Sequence, residues 1–180
     1  KEFVEIMKKI EYEGETFYFN QGRFYDRTFC EVPTKDSEAL YKRYFSSIDP
    51  SVLKFSDFLN LINQIDEGEN YSEGIRLIEK GFEIYFDMDD YAKLMLPKLF
   101  RFYRMRNQSD KVVDLWTKFW HKKTYRIESA SLYTVLGAAY CDLDDFTEAE
   151  QFAKRAYRLL GGRSDEYLQN LYNRINASKE

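Results

Sequence analysis

A single histidine, His121, and two cysteines, Cys30 and Cys141, set a low ceiling on the chemistry this 180-residue chain can perform. Zinc sites need several such ligands at short, regular spacings, and these three residues offer none. No Cys–His pair stands at a separation that suggests an activated nucleophile. The acidic clusters DMDD (residues 87–90) and DLDD (residues 142–145) resemble metal loops at a glance. They lack the central Gly and the terminal Glu of a calcium loop, and both stand where a helix should begin, so capping accounts for them. LGGR, residues 160–163, reads as a helix stop rather than a phosphate cradle. The chain is therefore expected to be no enzyme and to hold neither metal nor cofactor.

What the side chains offer instead is binding. Fifteen Phe, fifteen Tyr and two Trp make 18% of the chain, a supply that suits both a packed core and a surface that grips a partner. The net charge of −4 argues against a dedicated nucleic-acid binder. The average hides a partition, because residues 56–90 carry a net −8 and residues 91–126 a net +8. Opposite charge can draw adjacent segments together, or Lys98, Arg101, Arg104 and Arg106 can steer an acidic partner. A third use is phosphate binding: RFYRMR, residues 101–106, interleaves basic and aromatic side chains as RNA-binding segments do. A helix here would also need Phe102 or Tyr103 for its core.

The elements that must position these groups are of two kinds. Residues 8–33 are rich in Tyr, Phe, Thr and Val, with turn signals at Glu13-Gly14 and Asn20-Gln21-Gly22. They predict a three-stranded antiparallel meander over about 8–13, 16–20 and 23–32, ended by Pro33. One face should pack on helices and the other keep aromatics such as Tyr18 and Tyr25 exposed. From Asp36 onward nearly everything reads as helix. A cap cluster at Thr34, Asp36 and Ser37 opens DSEALYKRYFSS, and Asp49-Pro50 is an N-cap followed by Pro at the first helical position. The next helix places Leu53, Phe55, Phe58, Leu61, Ile62 and Ile65 on one face. DEGEN and DMDD break the helices that follow, and Gly161-Gly162 stop a later one.

The small residues carry a repeat. One helix has Tyr133, Leu136, Gly137 and Tyr140; the next has Phe146, Ala149, Ala153 and Ala156. Antiparallel helices approach closely only where side chains are small, so Gly137 and Ala149 should let the pair touch while Ala156 makes room for the next helix. Residues 130–163 thus resemble a tetratricopeptide repeat, a helix pair of about 34 residues. Shifted by 75 residues, Phe58, Leu61, Ile62 and Ile65 and then Tyr71, Gly74, Ile78 and Gly81 follow the same template. A degenerate middle copy has Leu96, Leu99, Phe100 and Tyr103, then Val112, Trp116 and Phe119. Phe100 stands where Gly is wanted, and Val112 and Phe119 replace small residues, so that pair should be splayed or cross differently.

The expectation is a mainly α chain: a small antiparallel β-meander at 1–35, then a tetratricopeptide-like α-solenoid over 36–180. Its three helix pairs fall at about 55–88, 93–126 and 130–163, with a polar capping helix at 164–177. The resemblance implies a concave groove lined by Asn60, Asn63, Lys98, Arg101, Arg104, Thr134 and Val135. Some family members clamp a chaperone tail with Lys, Asn and Arg, but Thr134, Val135 and Ala138 depart from that pattern. The expected function is an adaptor that binds a protein or peptide segment, acidic in character. The alternatives are an RNA- or phosphate-binding module using the basic second repeat, and a self-associating structural protein, a homo-oligomer. No apolar run approaches the about 20 residues of a membrane span, and the start has no signal-peptide core. Unpaired thiols fit the cytoplasm. Met7-Lys8-Lys9 has the form of a native start.

Overall fold

Glu13 and Gly14 both take positive φ, 49° and 78°, the backbone of a two-residue hairpin turn. They join β1 (Lys8–Tyr12) to β2 (Glu15–Asn20), and β3 (Arg23–Tyr25) completes an antiparallel sheet in the order β1-β2-β3. The computed structural model describes residues 8–20, 23–46, 48, 50–85 and 89–180. Met7, the Gln21-Gly22 half of the second turn, the Asp49 cap and the Asp87-Met88 half of DMDD lie outside the described residues. The chain divides into two compact units, Lys1–Ile84 and Tyr85–Glu180.

In the first unit the register puts Lys8, Ile10, Phe17, Phe19 and Phe24 on one face of the sheet and Lys9, Tyr18 and Tyr25 on the other. Phe19 and Phe24 of the first face are buried. Phe19 and Phe24 pack together at 5.0 Å, and Phe24 meets the edge of Tyr41 at 4.7 Å. Tyr41 and Leu40 come from α1 (Thr34–Ser46). On the other face Tyr18 stacks on Phe29 at 5.1 Å. The third strand is shorter than the expected 23–32. Asp26 reverses the chain: its Oδ1 accepts from the Thr28 and Cys30 amides and the Thr28 hydroxyl, a side-chain mimic of a backbone turn. The returning strand then pairs Glu31 with Tyr25, and Arg23 closes the reversal with an ion pair to Glu31.

The expected start of the next helix is also corrected. Pro50 opens a 3₁₀ turn, Pro50–Val52, and α2 (Phe55–Glu67) begins only after Lys54, whose backbone is extended. Phe58, Leu61, Ile62 and Ile65 form its buried face, and α3 (Tyr71–Ile84) answers with Gly74, Leu77, Ile78 and Gly81.

The second unit holds α4 (Asp89–Met105), α5 (Ser109–Lys118), a 3₁₀ turn Trp120–Lys123, the single-turn α6 (Thr124–Ile127), α7 (Ala130–Asp142), α8 (Phe146–Leu159) and α9 (Glu166–Ala177). Helix α7 is its centre, packed against α4, α5, α8 and α9. That explains a sequence, ASLYTVLGAAYCD, that is apolar on nearly every side. A Cβ built on Gly137 would stand 3.2 Å from the Ala149 carbonyl oxygen and 2.6 Å from Leu171 Cδ2. Glycine is therefore what lets α7 touch both the α8 backbone and α9. Ala149, Ala153 and Ala156 are fully buried. Gly161 and Gly162 end α8 with φ of 69° and 80°. Asp165 starts α9 by accepting from the Leu168 amide at 2.8 Å, and α9 buries Leu168, Leu171 and Ile175 beneath a polar outer face.

The helix pairs share one turn. Glu69, Asn107 and Asp144 each take positive φ, near 60°, one residue before the residue that leads into α3, α5 and α8. In each pair the next amide reaches back to the first helix: Asn70 to the Ile65 carbonyl, Gln108 to Tyr103 and Asp145 to Tyr140. This is the Schellman closure. It recurs after 38 and then 37 residues, and its acceptors are the residues that the small-residue pattern aligns. The chain is mainly α with an N-terminal β-meander. Among the described residues, no helix is long and apolar enough to cross a membrane.

Candidate functional site

The seven expected groove residues divide between the units. Asn60 and Asn63 are exposed on α2 of the first. In the second, Lys98 and Arg101 are partly covered along α4, Thr134 turns its hydroxyl back to the Ala130 carbonyl at 2.8 Å, and Val135 is 9% exposed. Val135 is thus core rather than groove lining, because α7 is enclosed by its neighbours.

Arg104 is also committed elsewhere. Its Nε and Nη2 donate to Oδ2 and Oδ1 of Asp142 at 2.8 and 3.2 Å. Ser109 Oγ donates to Oδ2 at 2.7 Å, and Arg174 Nη2 to Oδ1 at 2.8 Å. Asp142 ends α7, where helix carbonyls disfavour a negative charge, so it is held there by these donors. Burial alone would raise its pKa. The hydrogen bonds from Arg104 and Ser109, the Arg104 charge and the bond from Arg174 outweigh burial and hold it below the usual carboxylate value. The cluster ties α4, α5, α7 and α9 together beside a surface depression of about 650 Å³, also lined by Asp110 and Asp144. With its arginines answered by Asp142, it is a structural latch. Burial pushes the neighbouring Cys141 thiol up, so it is no thiolate at neutral pH.

The larger recess, about 750 Å³, lies on another side of α7. Trp116 of α5, Tyr133 and Tyr140 of α7 and Phe152 of α8 form its floor. Phe152 stacks on Tyr140 at 5.5 Å and meets Trp116 near-perpendicular at 6.0 Å. Arg155 lies over the floor, its guanidinium 5.1 Å from the Phe152 ring centre and 5.7 Å from that of Tyr133. Tyr133 donates its hydroxyl to Glu128 at 2.8 Å; burial, then that bond, raises its pKa. Glu148 and Arg158 complete the polar rim. His121 also lines the recess, with Nδ1 3.2 Å from the Trp116 carbonyl oxygen; a carbonyl can only accept, so Nδ1 carries the proton. Tyr133 and Tyr140 were singled out by the repeat pattern, but as packing residues. Trp116 was too. Phe152, Arg155, Arg158, Ser109 and Arg174 belong to no spacing motif, and Asp142 is legible in the sequence only as part of the DLDD cap cluster.

Comparison with known proteins returns no match: no family model, no curated protein and no solved structure aligns with this chain. Among the described residues, no group of three His, Cys, Asp or Glu side chains could hold a metal ion.

Proposed function

We propose that this chain is a helical-repeat adaptor that binds a segment of another protein in the aromatic recess of its second unit, without chemistry of its own. The observation that carries this reading is the recess itself: four rings at its floor, with Glu128, Glu148, Arg155 and Arg158 around them. An apolar cavity with a few placed polar groups is what a peptide side chain and its flanking backbone require. The mixed rim favours a segment with an aromatic or aliphatic anchor between polar residues over a uniformly acidic one. The common turn and register of the three helix pairs support their reading as tetratricopeptide-like repeats. Exposed Cys30 and buried Cys141 as free thiols suit a reducing, cytoplasmic setting.

A displayed peptide library selected on the whole chain tests this. Selection should enrich peptides with a large apolar anchor, and Arg155→Glu should weaken their binding about tenfold, the scale of a cation-aromatic contact plus reversed charge. Arg155 is exposed, so the variant should keep its fold. Equal binding by wild type and variant, or no enriched anchor, would remove the recess as the docking site.

A further inference from the structure

Between α5 and α7 the chain leaves the helix-pair pattern, and residues 115–127 contain no acidic side chain. Four side chains here are cationic: Lys118, Lys122, Lys123 and Arg126. Tyr125 is 72% exposed and Phe119 45%. Each open ring has a cation beside it. Lys123 Nζ lies 5.4 Å from the centre of Phe119 and 5.8 Å from that of Trp120. The Arg126 guanidinium lies 5.4 Å from the centre of Tyr125 and donates through Nε to the Tyr125 hydroxyl at 3.1 Å. Lys118 is engaged by Asp114 at 2.7 Å.

We propose that residues 119–126 form a binding surface for single-stranded nucleic acid. A nucleotide joins a flat base to a phosphate one residue's reach away, and this segment twice presents a ring with a cation at comparable reach. A base stacks on the open side of Tyr125 or Phe119, and the phosphates meet Lys122, Lys123 and Arg126. A duplex hides its base faces and leaves the rings without a partner. An acidic peptide would use the cations and not the rings. An anionic bilayer would attract the same cations, but the two ring–cation pairs, each at a nucleotide's reach, favour a single strand, and the vesicle arm below separates the two. RFYRMR, the segment whose composition first suggested RNA, cannot serve: Phe102 and Tyr103 are 0% and 1% exposed. The rings and cations that the proposal uses, Phe119, Lys122, Lys123, Tyr125 and Arg126, are not among the residues that line the peptide recess.

The test is fluorescence anisotropy of a short labelled oligouridylate with the whole chain across a salt series. Parallel arms use the same strand in a duplex, phosphatidylserine vesicles and a polyglutamate peptide. Three phosphate contacts predict a log–log salt slope of about −2 for the single strand, and weaker duplex binding. Tyr125→Ala should weaken binding about tenfold with the slope kept, Tyr125→Phe should restore most of it, and Lys122→Ala/Arg126→Ala should bring the slope to about −1. All of these side chains are exposed, and a matching circular dichroism spectrum confirms folding. No binding at low salt, equal duplex binding, unchanged affinity on Tyr125→Ala, or binding confined to vesicles or polyglutamate would each overturn the proposal.

Discussion

Replacing Asp142 by Asn keeps the shape of the latch and removes its charge. Arg104, with a side chain 17% exposed, then loses a bidentate carboxylate partner, a loss of about 1.5–2 kcal/mol for hydrogen bonds between charged groups in a partly covered site. Arg174, 42% exposed, adds about 0.5 kcal/mol, the scale of a solvated pair. The weakened Ser109 bond brings the expected destabilisation to about 2–3 kcal/mol at neutral pH. The assay is urea unfolding followed by tryptophan fluorescence. Both tryptophans, Trp116 and Trp120, lie in the second unit, so the signal reads the unit that the latch holds. The pH dependence checks the cause. The folded-state pKa of Asp142 is depressed, so its stabilisation is fully present above the unfolded value, about 3.9. It is lost as pH falls through the folded value. The gap between wild type and variant should therefore be widest near neutrality and close in strong acid. A variant within about 0.5 kcal/mol of wild type, which is the ordinary scatter of surface substitutions, would refute the latch. So would a gap that persists unchanged in acid.

Further substitutions test the fold. Gly137→Ala places a methyl 2.6 Å from Leu171 Cδ2, which can swing away, and 3.2 Å from the Ala149 carbonyl, which cannot; a loss of about 1–3 kcal/mol in the same urea assay is expected. Combining it with Leu171→Ala should cost less than the sum of the two, because both act on one contact; strict additivity would place the strain elsewhere. Gly161→Ala meets no atom within 4 Å but must hold φ at 69°, so only conformational strain of about 1 kcal/mol is expected in the melt. Asp165→Ala removes the side chain that accepts from the Leu168 amide and should lower stability by about 1 kcal/mol, with Asp165→Asn retaining most of it.

The helix pairs were legible because their constraint is local. Small residues at close crossings, a polar turn and an apolar stripe all act within one pair, and a shift of 75 residues aligned the first and third. What was not legible depends on contacts distant in sequence. Asp142 looks like half of a capping cluster until Arg104 and Arg174, 38 and 32 residues away, are seen to meet it. Val135 looks available on a helical wheel until four helices enclose α7. The third strand was overextended because Tyr, Phe and Thr favour strands on average, whereas a single side chain, Asp26, supplies three acceptor contacts that reverse the chain.

The middle helix pair is where pattern and site meet. At equivalent places in the other pairs stand Gly81 and Ala156, both buried. The middle pair has Phe119 there, and a phenyl ring does not fit where a hydrogen or a methyl is required. Helix α5 accordingly stops at Lys118, Phe119 takes a non-helical backbone with φ −132° and ψ −64°, and its ring is left 45% exposed. The chain then turns through Trp120–Lys123 before it can rejoin the core at Ile127. That detour creates one wall of the aromatic recess, through His121 and Thr124, and it also carries the open rings and cations of the outward surface. The same misfit that sets the middle helix pair apart thus makes the surfaces on which both binding proposals rest. Phe119→Ala is the sharpest probe of that link. Alanine allows α5 to extend, so helicity should rise slightly while binding at the 119–126 surface falls. A fall in binding with no gain in helicity would mean that the ring is a contact and does not cause the detour.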